Sequence, residues 1–309
     1  QTPLCQCFSN ATWSPNALTV AGNPNGTSDI LSQPNDVAID SHFTVYVADY
    51  LRIQKWLVGA ANATTVWTSP CCDQTTPAAL CLDNDDNLYY AEQSRYRVGR
   101  VLLSGTVITV AGGNGNGNAP NQLGPHLFGV FVDQFGNVYV SDTDNHRVMK
   151  WLPRATNGIV VAGGNGQGNG ANQLNYPYGI YVDSHGNIYI ADTANYRIVL
   201  WSPGSYTGTT VAGGNGPGAA LSQLTTPRSV AVDMCGNIYV SDAQNARITR
   251  WTPGAWSGTV VAGTGVLGNQ INQMNNPLGI KLVSLGNLYV ADLSNNRIQR
   301  FVINNNCGK

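Results

Sequence analysis

Gly186-Asn187-Ile188-Tyr189-Ile190-Ala191-Asp192 is the stretch that decides the fold, because the chain repeats it. It returns as Gly136-Asn137-Val138-Tyr139-Val140-Ser141-Asp142, as Gly236-Asn237-Ile238-Tyr239-Val240-Ser241-Asp242 and as Gly286-Asn287-Leu288-Tyr289-Val290-Ala291-Asp292. Looser copies hold Tyr46 and Tyr89. The six tyrosines are 43 residues apart at the first step and 50 at each later one, as their numbers 46, 89, 139, 189, 239 and 289 give. Self-similarity at a fixed period of this size marks an array of identical supersecondary units.

Around each copy four short strands are readable. In the fourth they are A, Gly179 to Asp183; B, Asn187 to Ala191; C, Arg197 to Trp201; and D, Thr210 to Gly213. Between A and B stands Asp-x-x-Gly-Asn, as in Asp133-Gln134-Phe135-Gly136-Asn137. That pattern suits a tight hairpin with glycine at a positive-φ position. Strands A and B are apolar almost without alternation, the mark of strands buried on both faces. Four-stranded sheets packed face to face around an axis bury their strands in this way, and a β-propeller is such an arrangement.

The chain ends supply the blade count. A D-type strand, Thr19-Val20-Ala21-Gly22, precedes the first A strand, whereas the last copy, Gly279 to Ile303, has A, B and C but no D. The first strand therefore completes the last blade. The reading is an all-β, six-bladed β-propeller closed by its N-terminal strand, a closure that removes exposed sheet edges. It is one domain, residues 1–309, with an N-terminal arm (1–16), the propeller (17–303) and a short tail (304–309).

These residues resemble the NHL repeat family. The likeness is carried by Pro177-Tyr178-Gly179-Ile180-Tyr181-Val182-Asp183, by Gly186-Asn187-Ile188-Tyr189, by Ala191-Asp192-Thr193-Ala194-Asn195-Tyr196-Arg197-Ile198, and by the loop pieces Ala162-Gly163-Gly164-Asn165-Gly166 and Gln173-Leu174. It spans about residues 17 to 303 and implies the propeller fold. For function it implies little, since the family includes RNA binders, protein binders, sensor ectodomains and a lyase. Blade one departs from the pattern at Asp49-Tyr50-Leu51-Arg52, which is two residues short, and blade two has Glu92 for Asp and Val101 for Trp or Phe.

Charge is scarce. Asp, Glu, Lys and Arg make up 11% of the chain, against roughly a quarter in ordinary domains, and the net charge is −1. No basic field exists to attract a phosphate backbone, so nucleic acid is not an expected partner. No run of about 18 apolar residues spells a membrane span. Most charges belong to the repeat. Asp40, Asp83, Asp133, Asp183 and Asp233 share one register, and Asp49, Glu92, Asp142, Asp192, Asp242 and Asp292 another, which accounts for eleven of the 17 acids. Arg52, Arg97, Arg147, Arg197, Arg247 and Arg297 share a third. Chemistry needs one special place rather than six equal ones, and six unpaired buried charges would be too costly. The pairs Asp142–Arg147, Asp192–Arg197, Asp242–Arg247 and Asp292–Arg297 are accordingly read as structural, tying down each B–C corner.

No catalytic or metal-binding set is expected. A zinc site needs about three converging ligands, and the four histidines are His42, His126, His146 and His185. His42 and His185 lie three blades apart, on opposite sides of the ring. The NHL-type amidating lyases carry channel histidines in a Pro-His-Gly context; the matching positions here are Asn35, Ala78, Phe128, Tyr178, Arg228 and Leu278. Neither a nucleophile elbow nor a phosphate loop is present. Calcium on Asp85-Asp86 is a lesser option than a solvated turn.

Seven cysteines and three sequons point to export. The sequons place N-linked glycans on Asn10, Asn25 and Asn62, and the chain begins at Gln1, as a mature product would after signal removal. Cys307 with Cys5 or Cys7 is expected to staple the seam, and Cys71 or Cys72 to bridge to Cys81, with a link from Cys5 or Cys7 to that cluster as the alternative. An odd count leaves Cys235 free or intermolecular. The functional expectation is a secreted glycoprotein, not an enzyme, that binds proteins or builds a scaffold, with self-assembly among the options and no cofactor. The alternatives are a channel-metal enzyme like the amidating lyases or lactonases, and a carbohydrate or small-ligand binder using Trp13, Trp67 or Trp256.

Overall fold

The computed structural model describes residues 11–23, 30–70, 75–102 and 104–304. Six four-stranded antiparallel sheets follow one another, and five take all four strands from consecutive sequence. In blade four A is Pro177–Val182, B is Ile188–Asp192, C is Arg197–Trp201 and D is Thr209–Gly213. In the sixth, Leu18–Gly22 lies beside Arg297–Phe301, with Leu18 opposite Arg300 and Gly22 opposite Arg297. The N-terminal strand thus closes the ring.

The B strands are buried from end to end, as in Ile188–Asp192 and Ile238–Asp242. That explains their unbroken apolar sequence: both sheet faces meet a neighbouring blade. Trp151, Trp201, Trp251 and Phe301 end the C strands and are at most 2% exposed, so the regular tryptophans are core. Blade two shows a compensated exchange. Tyr90 stands where blades three and four have Val140 and Ile190, and Gly99 opposes it where they have Met149 and Val199. A Cβ on Gly99 would come within 2.8 Å of the Tyr90 ring.

The Asp-x-x-Gly-Asn hairpins explain themselves. Asp133 Oδ1 accepts the backbone N–H groups of Phe135 and Asn137, and Oδ2 accepts the Asn137 amide and the Tyr139 hydroxyl. Gly136 sits at φ 76°, where a Cβ would be strained.

Residues ahead of the closing strand are packed too. Thr12–Trp13 pairs with Ile303–Asn304. Trp13 is 5% exposed, meets Tyr239 edge-on at 5.5 Å and donates its Nε1–H to the Gly286 carbonyl at 2.9 Å. Trp67, 9% exposed, packs at 4.7 Å on Tyr90. Trp13 and Trp67 are therefore core residues and not the ligand-binding tryptophans expected of them. Trp256 is 76% exposed.

Two cysteine readings need correction. Cys81 is a free, buried thiol, not half of a bridge. Its register faces the apolar seam with blade three, and its Sγ accepts the Val132 N–H at 3.3 Å. Cys235 is disulfide-bonded rather than free or intermolecular, and its partner is not among the described residues. The other bridge candidates, Cys5, Cys7, Cys71, Cys72 and Cys307, lie outside the described residues, as do the sequon residues Asn10 and Asn25. Asn62 is exposed.

Candidate functional site: the central channel

The repeated ion pairs form as expected, and they do more than hold a corner. Arg147 Nε donates to Asp142 Oδ2 at 2.7 Å, and the equivalent contacts measure 2.7 Å for Arg197–Asp192, 2.9 Å for Arg247–Asp242 and 2.9 Å for Arg297–Asp292. The remaining guanidinium nitrogens donate to carbonyls of the long D–A connector, for example those of Asn269, Gln270 and Gln273 from Arg297. The acid reaches the same connector: Asn275 N–H donates to Asp292 Oδ1. Burial pushes the Asp192 and Asp292 carboxyls above the ordinary carboxylate value, against the opposing hydrogen bonds. With Arg52–Asp49 at 2.7 Å and Arg97–Glu92 at 2.5 Å paired as well, all twelve charges are committed to the scaffold.

What the scaffold leaves open is the channel on the ring axis, a cavity of about 640 Å³ lined by the A strands. Each A strand has a register shift near its start, as between Leu127 and Gly129. Two layers of strand side chains line the cavity as a result, and the A–B hairpin residues Asp40, Ser41, Asp83, Asn84 and Asp86 line it beyond them. The mouth layer holds Asn35, Ala78, Phe128, Tyr178, Arg228 and Leu278; three residues deeper come Cys81, Phe131, Tyr181, Ala231 and Lys281. The mouth positions are those where amidating lyases would carry histidine.

The wall is uneven. Blades three and four supply aromatic rings. Phe128 and Tyr178 are stacked, 4.1 Å between centroids and 3° from parallel, and His126 continues the stack at 5.8 Å. Deeper, Phe131 meets Tyr181 edge-on at 5.4 Å. Blades five and six supply cations: the Arg228 guanidinium lies 4.1 Å from the Tyr178 centroid, and Lys281 lines the deeper layer. In the two layers blades one and two supply smaller side chains, Asn35, Ala78 and Cys81.

One acid lies on the inner wall at mid-depth. Asp36 takes a register held by glycine in blades three, four and six. Glycine fits there because neighbouring A strands touch: a Cβ on Gly179 would come 2.8 Å from the Arg228 carbonyl. Asp36 crosses the seam instead, accepting the Leu80 N–H of blade two at 2.8 Å while Oδ1 accepts its neighbour Val37 N–H at 2.9 Å. Burial pushes its carboxyl up to about 6, opposed by the charge of Lys281. Ser229 makes the same crossing with Ile280 N–H at 3.3 Å. Burial likewise raises the Cys81 thiol.

Arg228, Lys281 and the aromatic wall escaped the sequence reading. The signal lies in the six-residue column Asn35, Ala78, Phe128, Tyr178, Arg228, Leu278, which carries aromatic rings and a cation in place of the lyases' histidines. Among the described residues no three His, Cys, Asp or Glu side chains converge as a metal site would require. Asp86 is occupied with Ser41, whose hydroxyl donates to it at 2.6 Å. His126 is paired with Asp144 at 2.9 Å, and His146 Nδ1 accepts the Tyr176 N–H. No described helix is long and apolar enough to cross a membrane.

Comparison with known proteins agrees with this architecture. The NHL repeat family model matches residues 174–199 and 274–301. Among curated proteins no sequence match is found. Similar solved structures include an auxiliary nutrient binding protein from Bacteroides thetaiotaomicron, with a TM-score of 0.70 and 13% identity over 95% of this chain and 76% of that one. A gluconolactonase from Xanthomonas campestris has a TM-score of 0.69 and 12% identity, over 98% and 93%. A virginiamycin B lyase from Staphylococcus aureus has a TM-score of 0.59 and 11% identity, over 95% and 99%. At such identities the likeness is one of fold. With NHL repeats in its sequence and six blades closed by its own first strand, the chain is an NHL-repeat β-propeller.

Proposed function

We propose that this protein is a binder that does no chemistry on its ligand, and that the central channel is its binding site. One observation carries the reading: the channel joins ample volume to a wall of stacked aromatic rings, the make-up of a ligand pocket, while the charges of the repeat are committed to structure. A nutrient-binding protein among the structures of like fold is consistent with it; a gluconolactonase and a lyase there keep the enzymatic alternative in view.

Titration with the neutral fluorescent probe N-phenyl-1-naphthylamine tests the site. Saturable binding at one site is expected. It should be lost in Ala231→Tyr, which gives blade five the side chain of Tyr181 and fills the channel, and kept in Trp256→Ala. Hydrolysis of gluconolactone above the spontaneous rate, with or without added divalent cations, would contradict the non-enzymatic reading.

The setting we propose is extracellular, with glycans on Asn62 and the other two sequons, on the strength of the sequence alone. Protein contact, including contact between copies, is a second reading. It is favoured by the exposure of Trp256 (76%), Phe135 (72%) and Tyr206 (71%). Light scattering at rising concentration tests it: a monomer throughout would remove self-assembly.

A further inference from the structure

The two cations of the inner wall are unequal to the acids around them in one respect. Asp40 and Asp83 are filled by the N–H groups of their own hairpins, Asp86 by Ser41, and Asp36 by Val37 and Leu80. Arg228 and Lys281 have no hydrogen-bond acceptor among the described residues. The buried Arg228 Nε has no partner. The same is true of Nε in Arg100 and Arg300, so that atom alone does not single Arg228 out. What does is its place: partly exposed at the channel wall, its guanidinium carbon 4.1 Å from the Tyr178 ring centroid, with no carboxylate against its terminal nitrogens. Lys281 follows on the next blade, three residues further in, or about 10 Å at 3.3 Å per residue. Lys281 acts in charge on Asp36; the other acids lining the cavity, Asp40, Asp83 and Asp86, belong to the A–B hairpins at the far end of their strands, so the positive charge is local to the Arg228 layer and is not the net charge of the cavity.

We propose that the channel selects an organic anion: a small molecule whose carboxylate or similar group is taken by Arg228, with Lys281 below it, and whose planar or apolar body lies along Phe128, Tyr178, Phe131 and Tyr181. The chemistry is complementary on each side. A guanidinium offers planar, paired donors that match a carboxylate, and the cation–π contact with Tyr178 holds the guanidinium at the wall before the ligand arrives. This class of ligand rests on the channel being the binding site.

The test compares two probes of nearly the same shape, neutral N-phenyl-1-naphthylamine and anionic 1-anilinonaphthalene-8-sulfonate, by fluorescence titration of the whole chain. A charge-assisted contact in a partly desolvated site favours the anion by about 10-fold or more at low salt. Arg228→Asn, the residue blade one carries in this register, should bring that preference down to about 2-fold or less and leave the neutral probe's affinity in place. Arg228→Lys should keep part of the preference, and Trp256→Ala all of it. Equal binding of the two probes by the wild type, or an anion preference that survives Arg228→Asn, overturns the proposed ligand class while the channel reading stands. Failure of both probes to bind overturns the channel reading itself.

Discussion

Arg297 and Asp292 form an ion pair that is closed to solvent: Nε lies 2.9 Å from Oδ2 and both side chains are 0% exposed. In blade one the equivalent Arg52 is 39% exposed, although its distance to Asp49 is 2.7 Å. The difference follows from the corner. Blade one turns from B to C through Tyr50 and Leu51 alone, whereas blade six inserts the turn Leu293–Asn295. Removing one partner of a buried pair strands the other and costs about 3–5 kcal/mol. Arg297→Met should cost that much in urea unfolding, and Arg52→Met clearly less. Equal losses would contradict the burial argument.

Asp36 should make stability depend on pH. Its folded-state value of about 6 lies above the ordinary 3.8, so the folded protein holds this proton more tightly than the unfolded chain. Stability then falls as pH rises from about 4 to about 6 and stays reduced above that. Lys281 is the charged group acting on Asp36. Asp36→Asn keeps an acceptor for one N–H group and removes the proton. Its stability curve should be flatter over that window than the wild type's. An unchanged slope would show that Asp36 is not the group responsible.

The tight fit of Tyr90 into the space over Gly99 predicts a compensating pair. In Gly99→Val the new side chain collides with Tyr90 and with Val107, whose Cγ1 would lie 2.7 Å from the added Cβ. Overpacking of this kind costs about 1–3 kcal/mol. Adding Tyr90→Ile recreates the Ile190 and Val199 pair of blade four and should recover much of the loss. The non-additivity is the diagnostic, read from a double-mutant cycle in thermal unfolding.

Trp13 is a core residue supplied from outside the repeat. Trp13→Ala removes a buried ring together with its hydrogen bond to Gly286, and should cost about 3–5 kcal/mol. Trp256→Ala, at an exposed position, should stay within about 0.5 kcal/mol.

The propeller, its blade number and its closure could be read from the sequence because each rests on a periodic demand. The tyrosine segments recur because every B strand meets the same two neighbours, and the missing last D strand points to Leu18–Gly22. The channel site was not legible in the same way. Phe128, Tyr178 and Arg228 share a register but no chemical likeness, so what joins them is the ring that brings consecutive blades together. The commitment of Asp36 to the seam was hidden for the same reason: its partner Leu80 is 44 residues away. Trp13 and Trp67 stand outside the repeat, so no periodic demand marks them as core. In the fold Trp67 fills a gap beside Tyr90, and Trp13 covers the end of blade five.

The most direct measurement is a crystal structure of the protein soaked with 1-anilinonaphthalene-8-sulfonate. The prediction is density for the probe inside the ring, its sulfonate on Arg228 and its rings along Tyr178 and Phe131. Density confined to the outer surface, at Trp256 or Tyr206, with the channel holding solvent alone, would contradict the assignment of the channel as the binding site.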